Sequence, residues 1–449
     1  MLLPPRTAGA LPAFAKVQLE MFLVDKQIRL ARPFAWLAVL VAAGLLILST
    51  VAAPAPVFAA TIRIPQDYPT IQAGINAARD GDLVLVSPGT YTEQLTLSGK
   101  TIILASQYHT TGDEHLINDT IIDGGRGAAI TVNQSVGPET RIIGFTIQNG
   151  DDGIRAFGRL HILNNRFIDN SDAIDYEAGG GVARNNVFEN NSDDAIDFDG
   201  STEALVEDNL IRNNGDDGIE IRLHTYTGPT LNIIIRKNTI SGNGEDGIQL
   251  IDYPGVSDRV FLIERNLIAG NAMVGLGLMD NGETREDFRA ASIPERIHLF
   301  NNTFSGNPYA VTGGDNLIAL NNLFVDSVDV ALKNVDAGSI AAYNLFWNNG
   351  THHQGSNIDL NSTVFDDPLL DTNYRLQPGS PAIDAGTAHF EWNGKTVLDI
   401  PASGYAGAAP DLGWSETNSV PPPATPPPYE TYLPLVSRDA KLTANAIAP

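Results

Sequence analysis

A short acidic motif occurs five times between residues 151 and 248. Each copy has a polar or acidic residue, an aspartate, a small residue and an isoleucine, and the copies occupy residues 151–154, 171–174, 193–196, 216–219 and 245–248. The middle copy is the richest, because Asp193 and Asp194 are followed by Asp197, with Asp172 and Glu220 in the neighbouring copies. Carboxylates grouped in this way either recruit a cation or acquire raised pKa values that suit acid–base chemistry.

An asparagine before a β-branched or apolar pair forms a second repeat with a spacing of 20 to 36 residues. Its members are Asn165, Asn186, Asn209, Asn238, Asn266, Asn302, Asn322 and Asn344. Units of this length cannot bury their own apolar side chains, so the repeat predicts a stacked solenoid. We expect the amides to point inward at the corners and to bond the backbone and one another.

Alternation along the acidic strands predicts which side chains face outward. With the repeat isoleucines inside, Asp175, Asp197 and Glu220 form one outward column, and Asp199 and Arg222 belong to the next. Carboxylates stacked about 4.8 Å apart repel by roughly 3.5 kcal/mol at an effective dielectric of 20, and by about 0.9 kcal/mol in water. Calcium is the best counter-ion for such oxygens. The corner aspartates Asp152 and Asp246 can equally be explained by hydrogen bonds to the backbone.

Composition excludes several classes of function. The formal net charge is −25, and nucleic-acid binding needs clustered basic residues. Cysteine is absent, which excludes a disulfide framework, a thiolate metal site and a cysteine nucleophile. Zinc and copper fit poorly, because histidines are few and scattered. The acidity suits an exported protein or one that holds cations.

The N-terminal residues indicate export. Arg29 and Arg32 precede an uncharged apolar run over residues 34–53, and Val57, Phe58 and Ala59 offer a small-residue cleavage site. Residues 1–59 are therefore predicted to be an extension with a signal peptide or, if uncleaved, an anchor. Either form would place the body outside the membrane, as a secreted or cell-surface protein, and only the uncleaved segment would contact the membrane.

The residues after this leader resemble a known family. Thr70 is a good N-cap for a short helix over residues 71–78, and residues 83–86 and 101–104 read as buried strands. The arrangement resembles the N-terminal cap of right-handed parallel β-helix proteins, which include pectate-lyase-like, pectinesterase-like and NosD-type proteins. The resemblance implies an all-β right-handed parallel β-helix with a short N-terminal helical cap.

The remaining chain is divided by composition. Residues 60–118 are assigned to the cap and first coils, and residues 119–350 to the β-helix repeats. Residues 351–416 resemble the closing segment of exported β-helix proteins. Residues 417–449 form a Pro-rich linker and tail. Insertions at residues 224–230, 252–258 and 279–295 all follow an acidic strand, so they should form one wall that carries Tyr226, Tyr253 and Phe288 for stacking on sugar rings.

The coil over residues 190–197, Asn-Asn-Ser-Asp-Asp-Ala-Ile-Asp, resembles the calcium motif of the family-nine pectate lyases. The resemblance implies calcium ligands at Asp172, Asp193, Asp194 and Asp197. It also implies β-elimination on a uronate, in which a basic residue removes the C5 proton. The family's lysine base has no clear counterpart, and the candidates are Arg222 first, then Lys237 and His224. Ion pairing of Arg222 with Asp199 or Glu220, and a solvated corner role for Lys237, explain those residues equally well.

Two functions remain open on the sequence alone. The first is a calcium-dependent enzyme of acidic polysaccharides, most like a lyase, with an epimerase or a glycoside hydrolase as less favoured forms. The second is a non-catalytic surface solenoid for adhesion or for binding a cell-surface glycan. A base positioned over the acidic cluster is the feature that would distinguish the enzyme from the binding protein.

Overall fold

The computed structural model describes residues 59–417. The predicted leader over residues 1–59 and the predicted linker and tail over residues 417–449 lie outside this range except for one boundary residue each. Helices occupy Ile71–Ala77, Tyr108–Thr111 and His115–Asp119. None of the helices in the described range has the length and apolar character needed to cross a bilayer.

Three long parallel sheets run the length of the molecule, and each coil contributes one strand to each sheet in turn. The first sheet contains β1 (Thr61–Ile64), β2 (Leu83–Val86), β5 (Ile103–Ser106), β8 (Arg141–Ile143), β11 (Arg159–Leu163), β14 (Gly180–Arg184), β17 (Glu203–Glu207), β20 (Tyr226–Arg236), β23 (Ser257–Glu264), β26 (Arg296–Phe300), β29 (Leu317–Leu320) and β32 (Ile340–Ala342). The second sheet contains β3 (Gly89–Thr92), β6 (Thr120–Asp123), β9 (Thr146–Gln148), β12 (Arg166–Ile168), β15 (Val187–Glu189), β18 (Leu210–Arg212), β21 (Thr239–Ser241), β24 (Leu267–Ala269), β27 (Thr303–Ser305), β30 (Leu323–Val325) and β33 (Leu345–Trp347). The third sheet contains β4 (Leu95–Leu97), β7 (Ile130–Val132), β10 (Asp152–Ala156), β13 (Asp172–Glu177), β16 (Ile196–Asp199), β19 (Ile219–Leu223), β22 (Ile248–Asp252), β25 (Val274–Met279), β28 (Tyr309–Thr312), β31 (Val330–Lys333) and β34 (Thr351–Gln354). The predicted right-handed parallel β-helix is confirmed.

The N-terminal cap forms close to where the sequence predicts it. Thr70 caps the first helix by accepting a hydrogen bond from the amide of Ala73 at 3.2 Å, and this helix buries Ile71 and Ile75 against the start of the core. The buried strand expected at residues 101–104 instead begins at Ile103. The reason is local, because the Thr101 amide donates to the Asp80 carboxylate at 2.8 Å rather than to a neighbouring strand.

The core is built from like residues stacked upon like residues. Phe167 stacks on Phe188 with ring centroids 4.9 Å apart, and Tyr176 stacks on Phe198 at 5.1 Å. All four rings are almost completely buried, and the repeat isoleucines lie beside them in the same core. The apolar interior therefore continues from coil to coil, as each short unit requires.

The predicted asparagines form a continuous ladder at the corner between the first and second sheets. Asn209 accepts a hydrogen bond from the amide of Asn186 at 2.9 Å and donates from Nδ2 to the carbonyl of Ala183 at 2.9 Å. The same pattern repeats along the predicted set, and every member is buried. The predicted role of these amides, to bond the backbone and one another, is confirmed.

A second amide ladder lies at the corner between the second and third sheets. Its members are Asn170, Asn191, Asn214, Asn243, Asn271 and Asn307, joined by Nδ2-to-Oδ1 bonds of 2.8–3.1 Å. Four of its members, Asn170, Asn191, Asn214 and Asn243, stand one or two residues before a copy of the acidic motif. The ladder therefore fixes the height of these coils next to the acids.

The C-terminal segment closes the solenoid and then packs along its sides. Val364 pairs with Leu345, which adds part of a further coil to the end of the stack. The hairpin of β35 (His389–Trp392) and β36 (Lys395–Asp399) then packs against the outer surface of the first sheet. Leu376, Ala382 and Leu412 cover the outer surface of the second sheet. The insertions follow strands of the third sheet, which carries the acids.

Replacement of Asn209 by alanine should destabilise the protein by about 1–3 kcal/mol, because it leaves the buried Asn186 amide without its acceptor. The free energy of unfolding from urea denaturation measures this loss. The matched control is Asn373→Ala at an exposed site, which should change stability by less than about 0.5 kcal/mol. Equal effects of the two variants would contradict the ladder as a source of stability.

Candidate functional site

The acids lie on the third sheet, on four consecutive strands from β13 to β22. The register pairs Asp175 with Asp197, Asp197 with Glu220, and Glu220 with Gln249. In the next column, Glu177 pairs with Asp199. The outward columns expected from alternation are therefore present, and the sheet holds them at the spacing between its strands.

One oxygen of each corner aspartate from Asp172 to Asp246 is used by the backbone, whereas Asp152 pairs with Arg155 at 2.7 Å. Oδ1 of Asp172 accepts from the amide of Asp194 at 3.1 Å, and Oδ1 of Asp194 accepts from the amide of Asp217 at 2.8 Å. Asp217 and Asp246 continue the series, and Asp246 accepts from the amide of Val274 at 2.8 Å. The corner hydrogen bonds are thus real, and they leave the second carboxylate oxygen of each residue for another partner.

The four predicted calcium ligands fall into two adjacent groups that share Asp194. Carboxylate oxygens of Asp172, Asp193 and Asp194 lie within 4.8 Å of one another, and those of Asp194, Asp197 and Glu220 do the same. Glu220 thus joins the set, although the family motif does not include it. Its position in the same column as Asp197 is the sequence signal that identifies it.

These groups fit a hard cation. Every available donor is a carboxylate oxygen, which is the chemistry that calcium prefers. Oδ1 of Asp197 is buried and has no hydrogen-bond partner. A buried polar atom without a partner is unfavourable, and a bound cation would satisfy it.

Burial raises the pKa of several carboxyl groups at the site. Desolvation is the largest cause for Asp172, raised to about 6, for Asp175 and Glu220, each raised to about 7, and for Asp197, raised to about 8. Neighbouring carboxylates raise these values further, whereas Arg222 lowers the pKa of Asp197 and Glu220. Without a cation, the cluster therefore holds protons near neutral pH.

Arg222 lies at the centre of the acids. Its Nη1 is 2.8 Å from Oδ2 of Asp197 and 3.7 Å from Oδ2 of Asp199, and its Nη2 contacts Glu220. These carboxylates raise the pKa of Arg222 further above its ordinary value, against the opposing effect of desolvation. A guanidinium held in this way keeps its proton, so its geometry suits charge compensation rather than proton removal.

His224 lies next to the same carboxylates. Its Nε2 is 3.3 Å from Oδ1 of Asp199, and its ring packs against Tyr253 with centroids 4.4 Å apart. Arg259 fixes this region, because its guanidinium donates to the carbonyl of His224 at 2.9 Å and to the Ser257 hydroxyl at 2.5 Å. A partly exposed imidazole is thus positioned over the acidic cluster.

The structure separates the other predicted residues from this centre. Lys237 lies at the corner between the first and second sheets, where its Nζ is 3.3 Å from Oε1 of Glu207. Tyr226 lies beneath Arg259, with the guanidinium carbon 5.7 Å from the ring centroid. Phe288 stacks on Tyr309 at 4.6 Å, further along the third sheet. Tyr253 is therefore the predicted sugar-stacking residue that adjoins the acids.

The outward columns are buried, although alternation suggested exposure to solvent. Asp175, Asp197 and Glu220 face away from the core, yet at most 7% of their surface is accessible. Arg155 lies against Asp175, and Arg222 lies against Asp197 and Glu220. Tyr253 of the insertion after β22 also lies near Asp197 and Glu220, and such a loop has no periodicity from which its position could be predicted. The burial lowers the local dielectric, which is why the carboxyl pKa values rise.

Comparisons with known proteins agree on the architecture. A family described as "Right handed beta helix region" matches residues 97–228 and 162–324. The structure of pectate lyase Pel9A superimposes with a TM-score of 0.51 at 18% identity, over 77% of this chain and 90% of that chain. The A-module of mannuronan C-5 epimerase AlgE4 from Azotobacter vinelandii gives a TM-score of 0.47 at 17% identity, over 65% of this chain and 90% of that chain. No protein of curated function matches the sequence. At these identities the structural likeness shows the fold alone.

The metal-free protein should become less stable as the pH rises from about 4 to about 8. Asp197 has an ordinary pKa of 3.8 and a folded-state pKa of about 8, so the folded state binds the proton more tightly across this interval. Its contribution is complete below the lower value and is lost through the upper one. Melting temperatures measured in a chelator across this range provide the test.

The variant Asp197→Asn should reduce this pH dependence, because an amide resembles the protonated carboxyl and does not titrate. Asp366→Asn, at an exposed position, is the matched control and should keep the wild-type slope. A metal-free protein that gains stability between pH 4 and pH 8 would show that the cluster is ionised without a cation.

Proposed function

We propose, from the premise that the chain belongs to the right-handed β-helix family, that it is a calcium-dependent enzyme of acidic polysaccharides that acts by β-elimination. The observation that supports this proposal is a pair of carboxylate groups that share Asp194. In one of these groups, Asp197 has a buried oxygen without a hydrogen-bond partner. Pel9A, a pectate lyase, shows that this scaffold can carry such chemistry, while the case for this chain rests on its own residues.

The ligands proposed for calcium are Asp172, Asp193, Asp194 and Asp197, with Glu220 as an additional donor. A calcium ion bound there would neutralise the carboxylate of a uronate and make the adjacent C5 proton more acidic. The net charge of −25 would otherwise repel a polyanionic substrate, so a cation at the point of contact is needed for binding as well as for chemistry.

Arg222 is proposed to hold the substrate carboxylate rather than to act as the base. It is the basic side chain in direct contact with Asp197, Asp199 and Glu220. A planar guanidinium can bind a carboxylate through two parallel hydrogen bonds. Because its neighbours keep it charged, it supplies a permanent positive charge next to the substrate.

His224 is proposed as the base. Its Nε2 lies 3.3 Å from Asp199, so we assign the proton to Nε2 and the free lone pair to Nδ1. Asp199 would then orient the ring and stabilise the imidazolium that forms when the C5 proton is taken. The same pairing of an imidazole with a carboxylate recurs in enzymes whose histidine must gain and lose a proton.

The proposed reaction balances without an oxidant or a second substrate. The C5–H bond breaks and its proton passes to His224, while its electron pair forms the C4–C5 double bond. The C4–O glycosidic bond breaks, and the leaving oxygen takes a proton from water or from the nearby Tyr253 hydroxyl. The products are a shortened chain and an unsaturated uronate, which absorbs in the ultraviolet.

Tyr253 is proposed to stack on a sugar ring at the reacting position, with Tyr226 and Phe288 at more distant subsites along the same wall. Tyr253 is partly exposed, and burial together with Glu220 and Asp199 raises the pKa of its hydroxyl, while Arg222 lowers it. The phenol thus remains protonated and can donate a hydrogen bond. Action outside the cell is part of this proposal and is supported by the apolar run over residues 34–53.

A non-catalytic glycan-binding solenoid is the second candidate. The corner hydrogen bonds of Asp172 and Asp194 support it, because they give the acids a structural use. An epimerase would need the same base and the same cation, and would return the proton to C5 without breaking the chain. Product analysis separates these possibilities.

Calorimetric titration of calcium into the metal-stripped protein should show saturable binding that Asp194→Asn weakens by about tenfold or more, which is about 1.4 kcal/mol. The substituted amide keeps an oxygen that can accept the Asp217 amide, so the fold should persist. Asp366→Asn is the control and should bind as wild type. Equal affinity in wild type and Asp194→Asn would exclude this site.

Replacement of His224 by alanine should lower the rate of formation of unsaturated product on polyuronates by about 100-fold or more, while calcium affinity stays within about twofold. The rate is followed by ultraviolet absorbance. His389→Ala, an exposed histidine on the C-terminal hairpin, is the control and should retain full activity. If wild-type protein binds polyuronates and forms no product, the glycan-binding solenoid is the better description.

A further inference from the structure

A second cluster of oxygens is buried beneath the insertion over residues 279–295, further along the third sheet than the calcium site proposed above. It combines Asp246, Gln249 and Thr312 of the sheet with Glu286 of the insertion. We propose that this cluster is a separate site for a divalent cation of the calcium class, which fastens the insertion to the β-helix. The inference does not depend on catalysis.

Asp246 is completely inaccessible to solvent. Its Oδ1 accepts from the amide of Val274 at 2.8 Å, whereas its Oδ2 has no hydrogen-bond partner. Burial is the largest cause that raises the pKa of this carboxyl, and the charge of Glu286 raises it further. The side chain therefore has one oxygen fixed by the backbone and another directed into a buried space.

Glu286 is turned inward from a loop whose neighbouring residues are exposed. Arg285 and Asp287 are exposed, while 6% of Glu286 is accessible. Its Oε1 accepts from the amide of Phe288 at 2.6 Å, and its Oε2 is 3.4 Å from the Thr312 hydroxyl. A loop carboxylate placed beneath its own loop needs a partner that compensates its charge.

Gly277 provides the space in which the two carboxylates meet. A methyl group built at this glycine would lie 1.9 Å from Oδ2 of Asp246 and 2.7 Å from Oε2 of Glu286. The two oxygens thus converge on one point above β25. Among the described residues, neither carboxylate forms an ion pair with a lysine, arginine or histidine.

Gln249 supplies the independent observation that points to a ligand. It is completely buried and pairs in register with Gly277; its Oε1 has no hydrogen-bond partner, while its amide lies close enough to Asp246 to lower the pKa of that carboxyl. An amide oxygen left unpaired in a protein interior is unfavourable. A cation between Asp246 and Glu286 would use the amide oxygen as a third ligand, and the Thr312 hydroxyl as a fourth.

A proton shared by the two carboxyls is the competing explanation. It would link Asp246 to Glu286 and is consistent with the pKa of Glu286, which burial raises to about 7. It leaves Oε1 of Gln249 without a partner, whereas a cation would bind that oxygen. Divalent calcium also compensates both negative charges, which a single proton cannot do.

Limited digestion with trypsin tests the site, because Arg285 and Arg289 are exposed on the insertion. Calcium chloride should slow cleavage after these residues by at least tenfold relative to EDTA, with the fragments identified by mass spectrometry. Glu286→Gln should abolish this protection, while Glu283→Gln, an exposed acid of the same insertion, should preserve it. Calcium-independent cleavage in wild type would overturn the proposal.

The variant Asp194→Asn separates the two sites. It removes a ligand of the site in the proposed function and leaves the Asp246 cluster intact, so calcium should still protect the insertion. Loss of protection in Asp194→Asn would show that the effect comes from the other site and would overturn this proposal. If calcium still protects the insertion from trypsin but the protein does not turn over polyuronates, this proposal stands and the proposed function fails.

Gln249→Met provides a test with opposite expected signs. With a cation in place, the variant loses a ligand, and the rise in melting temperature on adding calcium should fall below the rise in wild type. Without a cation, the variant removes a buried amide oxygen that has no partner and should melt at least as high as wild type in both calcium and EDTA. If the rate of tryptic cleavage of the insertion rises above pH 7 and calcium does not change it, the shared proton is favoured and the metal site is overturned.

Discussion

The stacking of parallel strands in register, about 4.8 Å apart, is the constraint on which the rest of this molecule depends. It places each side chain directly above its counterpart in the next coil, so a residue type that repeats from coil to coil forms a column. In a column of amides the hydrogen-bonding groups satisfy one another, because Asn186 and Asn209 each donate and accept hydrogen bonds. A column of carboxylates cannot, because carboxylates only accept. The amide ladders and the acidic site are opposite consequences of the same spacing.

Burial determines how strongly the acidic column is destabilised. Exposed carboxylates at this spacing repel by about 0.9 kcal/mol, and partly buried ones by roughly 3.5 kcal/mol. The burial of Asp197 and Glu220 moves the column towards the second value. Arg222 compensates part of this charge through three contacts, yet an oxygen of Asp197 remains unpaired. Burial and incomplete compensation together create the demand for a cation.

The regular part of the structure could be predicted from the sequence, and the irregular part could not. Alternation placed Asp197 beside Glu220 correctly, because a strand has a strict period of two. The second amide ladder lies outside the predicted set, because its asparagine stands one residue before the acidic motif in one coil and two residues before it in the next three. The contact between His224 and Tyr253 depends on loops, whose paths no repeat specifies. Lys237 is a candidate base on the sequence because its side chain is basic, but the structure shows that it lies at a corner away from the acids.

Positions at which the residue type departs from the repeat are those with a role beyond stacking the coils. Along one column the residues are Asp175, Asp197, Glu220, Gln249 and then Gly277, so the column loses its charge at Gln249 and its side chain at Gly277. Glu286 enters the vacated space from a loop. Carboxylates of a column are held at the spacing of the strands, whereas calcium draws oxygens to about 2.3–2.6 Å from a common centre. A carboxylate supplied by a loop is free of the coil spacing and can complete such a centre. The insertions therefore contribute ligands as well as walls, which a uniform solenoid cannot provide.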